Sequence, residues 1–444
     1  IGQVEGDPTA SSDSPFDDPE GYKFGEEGDQ NIIECGSYQG NGSTNGPEIN
    51  LGWEPSFLII KNITDAEGWV MFDQMRGMHY DVDDKALFPN QDTVEQNRST
   101  GQVRPTPLGF KMQGSSDGKV NGSNKDYVFL AVRKVDGYVG KPAEVGTDVF
   151  SSNLATTNAP WFKNNTFPVD VSIHKRYDQS EDWYQASRLQ GTYGLRPSTT
   201  SAEANITNYW KWDYMDGWNS YTSGTSAGNY ISYQFKCHAG FDVGTYTGNG
   251  VSPRSIPHNL GIPPEMIWTK GRNSTYDWKV WHMGLTGGGA TRNLSLNTTD
   301  AQSTNSDIFG GPSGLLPTST HYTVGSNAQI NQSGTNQIYM LFASIKGISK
   351  CGSYDGSSST VTVTTGFQPR FVIIKRIDVA NDWYVLDTVR GWSSGVDQAI
   401  KLNVNQSQFN SHDLGAPTST GFTVASTNEG WNTNGGTYIY YAHA

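Results

Sequence analysis

The residues whose types could do chemistry are 44 carboxylates, eight histidines and one dense aromatic and acidic run. Four residues after each of four landmark tryptophans, Trp69, Trp183, Trp278 and Trp383, stand Asp73, Ser187, His282 and Asp387. A general acid or base must be a group of suitable pKa wherever the same reaction is run, so this changing position carries no shared active site and no catalytic residue is assigned. Arg76-Gly77 and Arg390-Gly391 follow in two copies, with Gln190-Gly191 and Leu285-Thr286 in the others. A turn held by an arginine to carboxylate hydrogen bond accounts for the arginine pairs. The histidines form no His-Glu-x-x-His and the cysteines no Cys-x-x-Cys, so no metal site is expected. Without a nucleophile elbow, P-loop or dinucleotide fingerprint, no cofactor is expected either. A glycosidase needs only two carboxylates brought together in space, which keeps a polysaccharide depolymerase as the enzymatic alternative.

The run Tyr209-Trp210-Lys211-Trp212-Asp213-Tyr214-Met215-Asp216-Gly217-Trp218 supplies a candidate binding surface, Trp210, Trp212, Tyr214 and Trp218. Tryptophan and tyrosine beside aspartate stack on a sugar or protein partner and hydrogen-bond to it. The competing reading is packing between neighbouring modules. An open groove lined by the unrepeated aromatics Trp161, Trp210, Trp218, Trp392 or Trp431 would mark a carbohydrate-binding protein. The repeated Trp69, Trp183, Trp278 and Trp383 are expected in the structural core.

These residues sit in a fourfold repeat. Trp53-Glu54-Pro55-Ser56-Phe57-Leu58-Ile59-Ile60-Lys61 matches Phe367-Gln368-Pro369-Arg370-Phe371-Val372-Ile373-Ile374-Lys375. Ile262-Pro263-Pro264-Glu265-Met266-Ile267-Trp268-Thr269-Lys270 is a third copy, and the segment from Phe167-Pro168 to Lys175 is a fourth with one residue inserted. The landmark tryptophan follows the proline by 14 residues in three copies and by 15 in the copy with the insertion. Turn-forming residues lie between them, which predicts a β-hairpin with its tryptophan at the start of the second strand. Each copy closes on a β-branched and aromatic segment, such as Tyr127-Val128-Phe129-Leu130-Ala131-Val132 or Tyr438-Ile439-Tyr440-Tyr441-Ala442. A spacing of 95 to 114 residues between landmarks fits one antiparallel sandwich per copy better than a short solenoid repeat.

The expected fold is therefore all-β, four tandem antiparallel β-sandwich modules at 34–134, 135–236, 237–347 and 348–444, behind an extended acidic arm, 1–33. The second module is divergent, without a clear Gly-Phe-x-Val strand. Composition agrees, with 13 Trp, 22 Tyr and 18 Phe against 17% charged residues. No apolar run approaches a membrane span. A net charge of −13 argues against nucleic acid as a partner. The three cysteines, Cys35, Cys237 and Cys351, are too far apart for a disulfide framework. The sequence opens at Ile1 without an apolar h-region, so no signal peptide is read in it.

The succession Gly-Ser-Tyr-x-Gly-x-Gly, the Pro-strand-Lys segment, Asp-Trp-x3-Asp-x-x-Arg-Gly, Gly-Phe-x-Val and a closing Tyr-Ile-Tyr-x-Ala resembles the β-module found in tandem in tail-fibre and other virion proteins of marine tailed phages, cyanophages especially. It runs from Gly36 to Ala131 and most fully from Gly352 to Ala442. The resemblance implies a non-enzymatic virion protein on the exterior of the particle, a tail fibre or surface appendage, with a capsid decoration protein as the alternative. Its implied partners are other tail or capsid proteins and a host-surface glycan or protein, and its implied state is a homo-oligomer, commonly a trimer for fibres, because edge strands and flat apolar faces are best covered by partners.

Overall fold

The computed structural model describes residues 23–24, 32–79, 84–98, 102–113, 117–140, 142–163, 166–206, 210–220, 229–287, 289–425 and 430–444. The protein is all-β, and each described strand pairing is antiparallel. Of the expected arm, Lys23–Phe24 pairs with Val139–Gly140; residues 1–22 and 25–31 lie outside the described residues.

Each quarter of the chain builds one main sheet with the same strand order. An opening strand pairs with the closing strand, which pairs with the first and then the second strand of the predicted hairpin. In the first module these are Ile33–Gln39, Asp126–Arg133, Pro55–Asn62 and Trp69–Asp73. In the fourth they are Ser349–Asp355, Thr437–His443, Phe371–Arg376 and Trp383–Asp387. The second and third modules repeat the plan and extend it by two strands. A small second sheet covers one face of each main sheet, for example Glu48–Asn50, Val103–Thr106 and Gly109–Met112 in the first module. Side chains alternate across a strand, so residues at odd steps fill this sandwich while their neighbours point to the opposite face.

That opposite face separates the modules. In the first module it is partly open, and Pro55–Asn62 and Asp126–Arg133 alternate between buried and half-exposed residues. In the other three modules the corresponding strands are buried on both faces. Their outward faces meet in one shared core, which draws Ile173 and Phe235 from the second module, Val280 and Phe342 from the third, and Phe371 and Tyr441 from the fourth. The inner cores of the first, second and fourth modules stay separate.

Three of the four landmark tryptophans lie in the core, as expected, and Trp69 does not. Trp69 is 38% exposed and belongs to no module core. Trp183, Trp278 and Trp383 are buried, but in the shared core between modules rather than inside their own sandwiches. Strand alternation is the reason: each landmark lies on the face turned away from the small sheet.

Candidate functional site

The repeated residues position a cycle of contacts that joins three modules. Trp183 of the second module donates its indole N–H to Lys401 O of the fourth at 2.8 Å. Trp383 of the fourth donates to Ser295 O of the third at 3.1 Å, and Trp278 of the third to Arg196 O of the second at 3.0 Å. A backbone bond accompanies each: Gln408 N–H to Tyr177 O at 2.7 Å, Gln302 N–H to Ile377 O at 2.9 Å and Glu203 N–H to Arg272 O at 2.6 Å. In every case the carbonyl lies two residues after the repeated lysine, and the donor eight residues after the matching strand residue, Ile400, Leu294 or Leu195. The second, fourth and third modules thus close a ring of three by one repeated interface.

In the second and fourth modules the repeated lysine adds contacts that the strand pattern alone does not explain. Lys375 Nζ donates to Asn381 O, which closes the hairpin turn, and to Thr299 O of the next module at 2.9 Å. Lys175 does the same with Glu181 O and with Asn405 O at 3.1 Å. Burial pushes both ammonium groups down to about 8, against the pull of neighbouring carboxylates. The position four residues after the tryptophan also serves the ring. Asp387 accepts Arg390 Nε at 2.6 Å and Tyr233 Oη of the second module at 2.7 Å. His282 stands at the same position in the third module, with Nε2 3.2 Å from Tyr440 O of the fourth and Nδ1 accepting Gly284 N–H at 2.9 Å. Those two contacts fix a neutral imidazole with its proton on Nε2, and burial lowers its pKa to about 4. The Arg76–Asp73 pair of the first module has the expected turn geometry, Nε to Oδ2 at 2.6 Å.

The tryptophans of the aromatic run do not lie on an open surface. Trp210, Trp212 and Trp218 are buried in the inner core of the second module, and Tyr214 is half-buried at its rim; Tyr209 lies outside the described residues. Trp218 stacks on Phe162 with ring centroids 5.5 Å apart and on Trp212 at 4.9 Å. The run ends in the strand Gly217–Trp218, which pairs with Phe162–Lys163 as Gly109–Met112 pairs with Glu48–Asn50 in the first module, so the strand that the sequence of the second module does not show clearly is present, with Trp218 at the position of Phe110. Trp161, Trp392 and Trp431 are likewise buried, and the five unrepeated tryptophans line no open groove.

A buried ionic cluster fastens the first module to the second and third. Lys134 Nζ reaches Glu54 Oε1 at 3.3 Å, and Gln74 Nε2 donates to the same oxygen at 2.7 Å. Asp170 and Asp242 act on the same lysine. Burial alone would lower Lys134, but the surrounding acids outweigh it and hold its pKa above the ordinary value. With one lysine shared among several acids, burial pushes Asp242 up to about 7. Beside this junction a cleft of about 430 Å³ is lined by residues that include Tyr138, Pro142, Glu144, Cys237 and His238. Burial lowers His238 to about 3 and raises the Cys237 thiol well above its ordinary value, which disfavours the ionised forms that nucleophilic or acid–base work would use. Among the described residues no three His, Cys, Asp or Glu side chains are grouped to hold a metal ion.

A family model described as a domain of unknown function (DUF7483) matches residues 23–134 and 175–444, leaving the opening part of the divergent second module unmatched. No curated protein matches the chain.

Proposed function

The chain belongs to the family described as a domain of unknown function (DUF7483), a description that assigns no activity, and from its own residues we propose a non-enzymatic structural protein on the exterior of a tailed-phage particle, a tail-fibre or appendage component acting in assembly and host-surface attachment. The observation that carries this reading is where the repeated polar groups point. Lys175, Lys375 and the three ring tryptophans, all at repeated positions, direct hydrogen bonds to neighbouring modules, as expected of residues repeated for assembly rather than for turnover, and Asp387 and His282 do so from a position whose residue varies. The motif succession at 36–131 and 352–442, which resembles phage virion modules, supports the particle assignment.

The test is to look for the protein in density-purified phage particles by mass spectrometry, and to label intact particles with an antibody against it. Labelling of unbroken particles is the expected result; absence from the particles overturns the assignment. Incubating the purified protein with host capsular polysaccharide tests the enzymatic alternative, and release of new reducing ends would refute a non-enzymatic role.

A further inference from the structure

Among the described residues, the first module carries every element of the ring interface with no other module packed on the face around Trp69. Phe57, Ile59, Lys61, Trp69, Asp73 and Arg76 stand at the positions of Phe371, Ile373, Lys375, Trp383, Asp387 and Arg390, and Met71 at that of Val385. In the fourth module this face is buried against its neighbours. In the first it is open, and its outlying members are the most exposed apolar residues of the module: Ile33 at 53%, Ile63 at 59% and Val94 at 83%. The sandwich of the first module does not need these side chains, because its own core uses the alternate ones, Leu58, Ile60, Val70 and Phe72. An exposed contiguous apolar face of this kind marks an interaction site.

The sister modules specify the occupant. Transferring the ring register to the first module places the Trp69 indole N–H opposite Phe88 O of a neighbour, and Glu95 N–H of that neighbour opposite Ile63 O. Leu87 faces Met71 across an antiparallel bridge as Ile400 faces Val385, so Phe88 and Glu95 lie one and eight residues after it, as Lys401 and Gln408 do after Ile400. Asn90, which holds the Trp69 N–H as Asn403 holds that of Trp383, confirms the register from a second contact. Ile63 and Val94, beside Glu95, are the residues this contact would cover. A head-to-tail interface forms a closed ring only if its rotation closes, and this interface closes at three within the chain. We infer that three copies of the chain associate through their first modules, each inserting Trp69 against the strand around Phe88 of the next, in the same cyclic arrangement that modules two to four form within one chain. The inference stands on the internal repeat and is independent of the particle assignment.

Light scattering on the full chain gives the mass, and site-directed cross-linking gives the register. The wild type is expected at three times the 48.6 kDa of one chain, and Trp69→Lys at one chain with an unchanged circular dichroism spectrum, a threefold drop in mass. In a Cys35→Ser background, Ile63→Cys with Glu95→Cys is expected to form trimers on oxidation. Tyr177→Cys with Gln408→Cys, at the 2.7 Å contact inside the chain, serves as the control and should cross-link without raising the mass. A wild type that stays one chain at all concentrations, a dimer, a trimer indifferent to Trp69→Lys, or a trimer whose 63–95 pair fails to cross-link while the control succeeds would each overturn the inference.

Discussion

Replacing Trp383 by Ala tests whether the shared core is one cooperative unit. The side chain is 1% exposed, it donates to Ser295 O of the third module, and its own N–H is held by Asn403. Truncating a buried tryptophan costs about 3–5 kcal/mol through lost transfer and the cavity left behind. The orphaned Ser295 carbonyl adds about 1 kcal/mol. A total of about 4–6 kcal/mol is comparable to the whole stability of a small domain, so the effect should not stay within the fourth module. Urea denaturation gives the magnitude, and hydrogen exchange read by mass spectrometry gives the location. Faster exchange is expected around Leu294–Ser295 in the third module and around Tyr233 in the second, as well as in 348–444. If faster exchange were confined to 348–444, or the urea midpoint did not move, the ring would not be the cooperative unit described above.

The two arginine to carboxylate turns provide a matched pair. Arg390→Met leaves Asp387 buried without its partner and should cost about 3–5 kcal/mol, whereas Arg76→Met, at a pair whose side chains are each 21% exposed, should cost about 1 kcal/mol or less in urea denaturation of unassociated chains. Acidification should destabilise the protein between pH about 6.5 and about 4. His174, His238, His258, His282 and His443 are buried with pKa values lowered in the fold, so the unfolded chain binds more protons there and stability falls as pH falls. His282→Gln should flatten that slope, by up to about 3 kcal/mol over the window given a pKa lowered from 6.5 to about 4, as measured by urea midpoints at pH 7 and pH 5. Asp242 acts with the opposite sign: its folded pKa is raised to about 7, so its contribution is lost as pH rises from about 4 to about 7. Asp242→Asn should therefore gain stability relative to the wild type at pH 8 and lose that advantage at pH 4.

The sequence by itself determined the repeat. Proline, strand, lysine and tryptophan at fixed spacing are local signals, and alternation of side chains along Pro55–Asn62 and Phe371–Arg376 is enough to make sheets with two distinct faces. The arginine turns were legible for the same reason, since Arg76 and Arg390 reach carboxylates only three residues away. What alternation cannot say is which partner each face meets. Trp69 and Trp383 have nearly the same local sequence, yet one is open and the other is closed by a module some 90 residues distant in the chain. Likewise the run ending at Trp218 reads as a surface because it is rich in aspartate, and only the packed sandwich shows its tryptophans turned inward, with Gly217–Trp218 forming the small-sheet strand of the second module. The tertiary structure decided these points because burial depends on which other surface arrives, and that surface is encoded elsewhere in the chain.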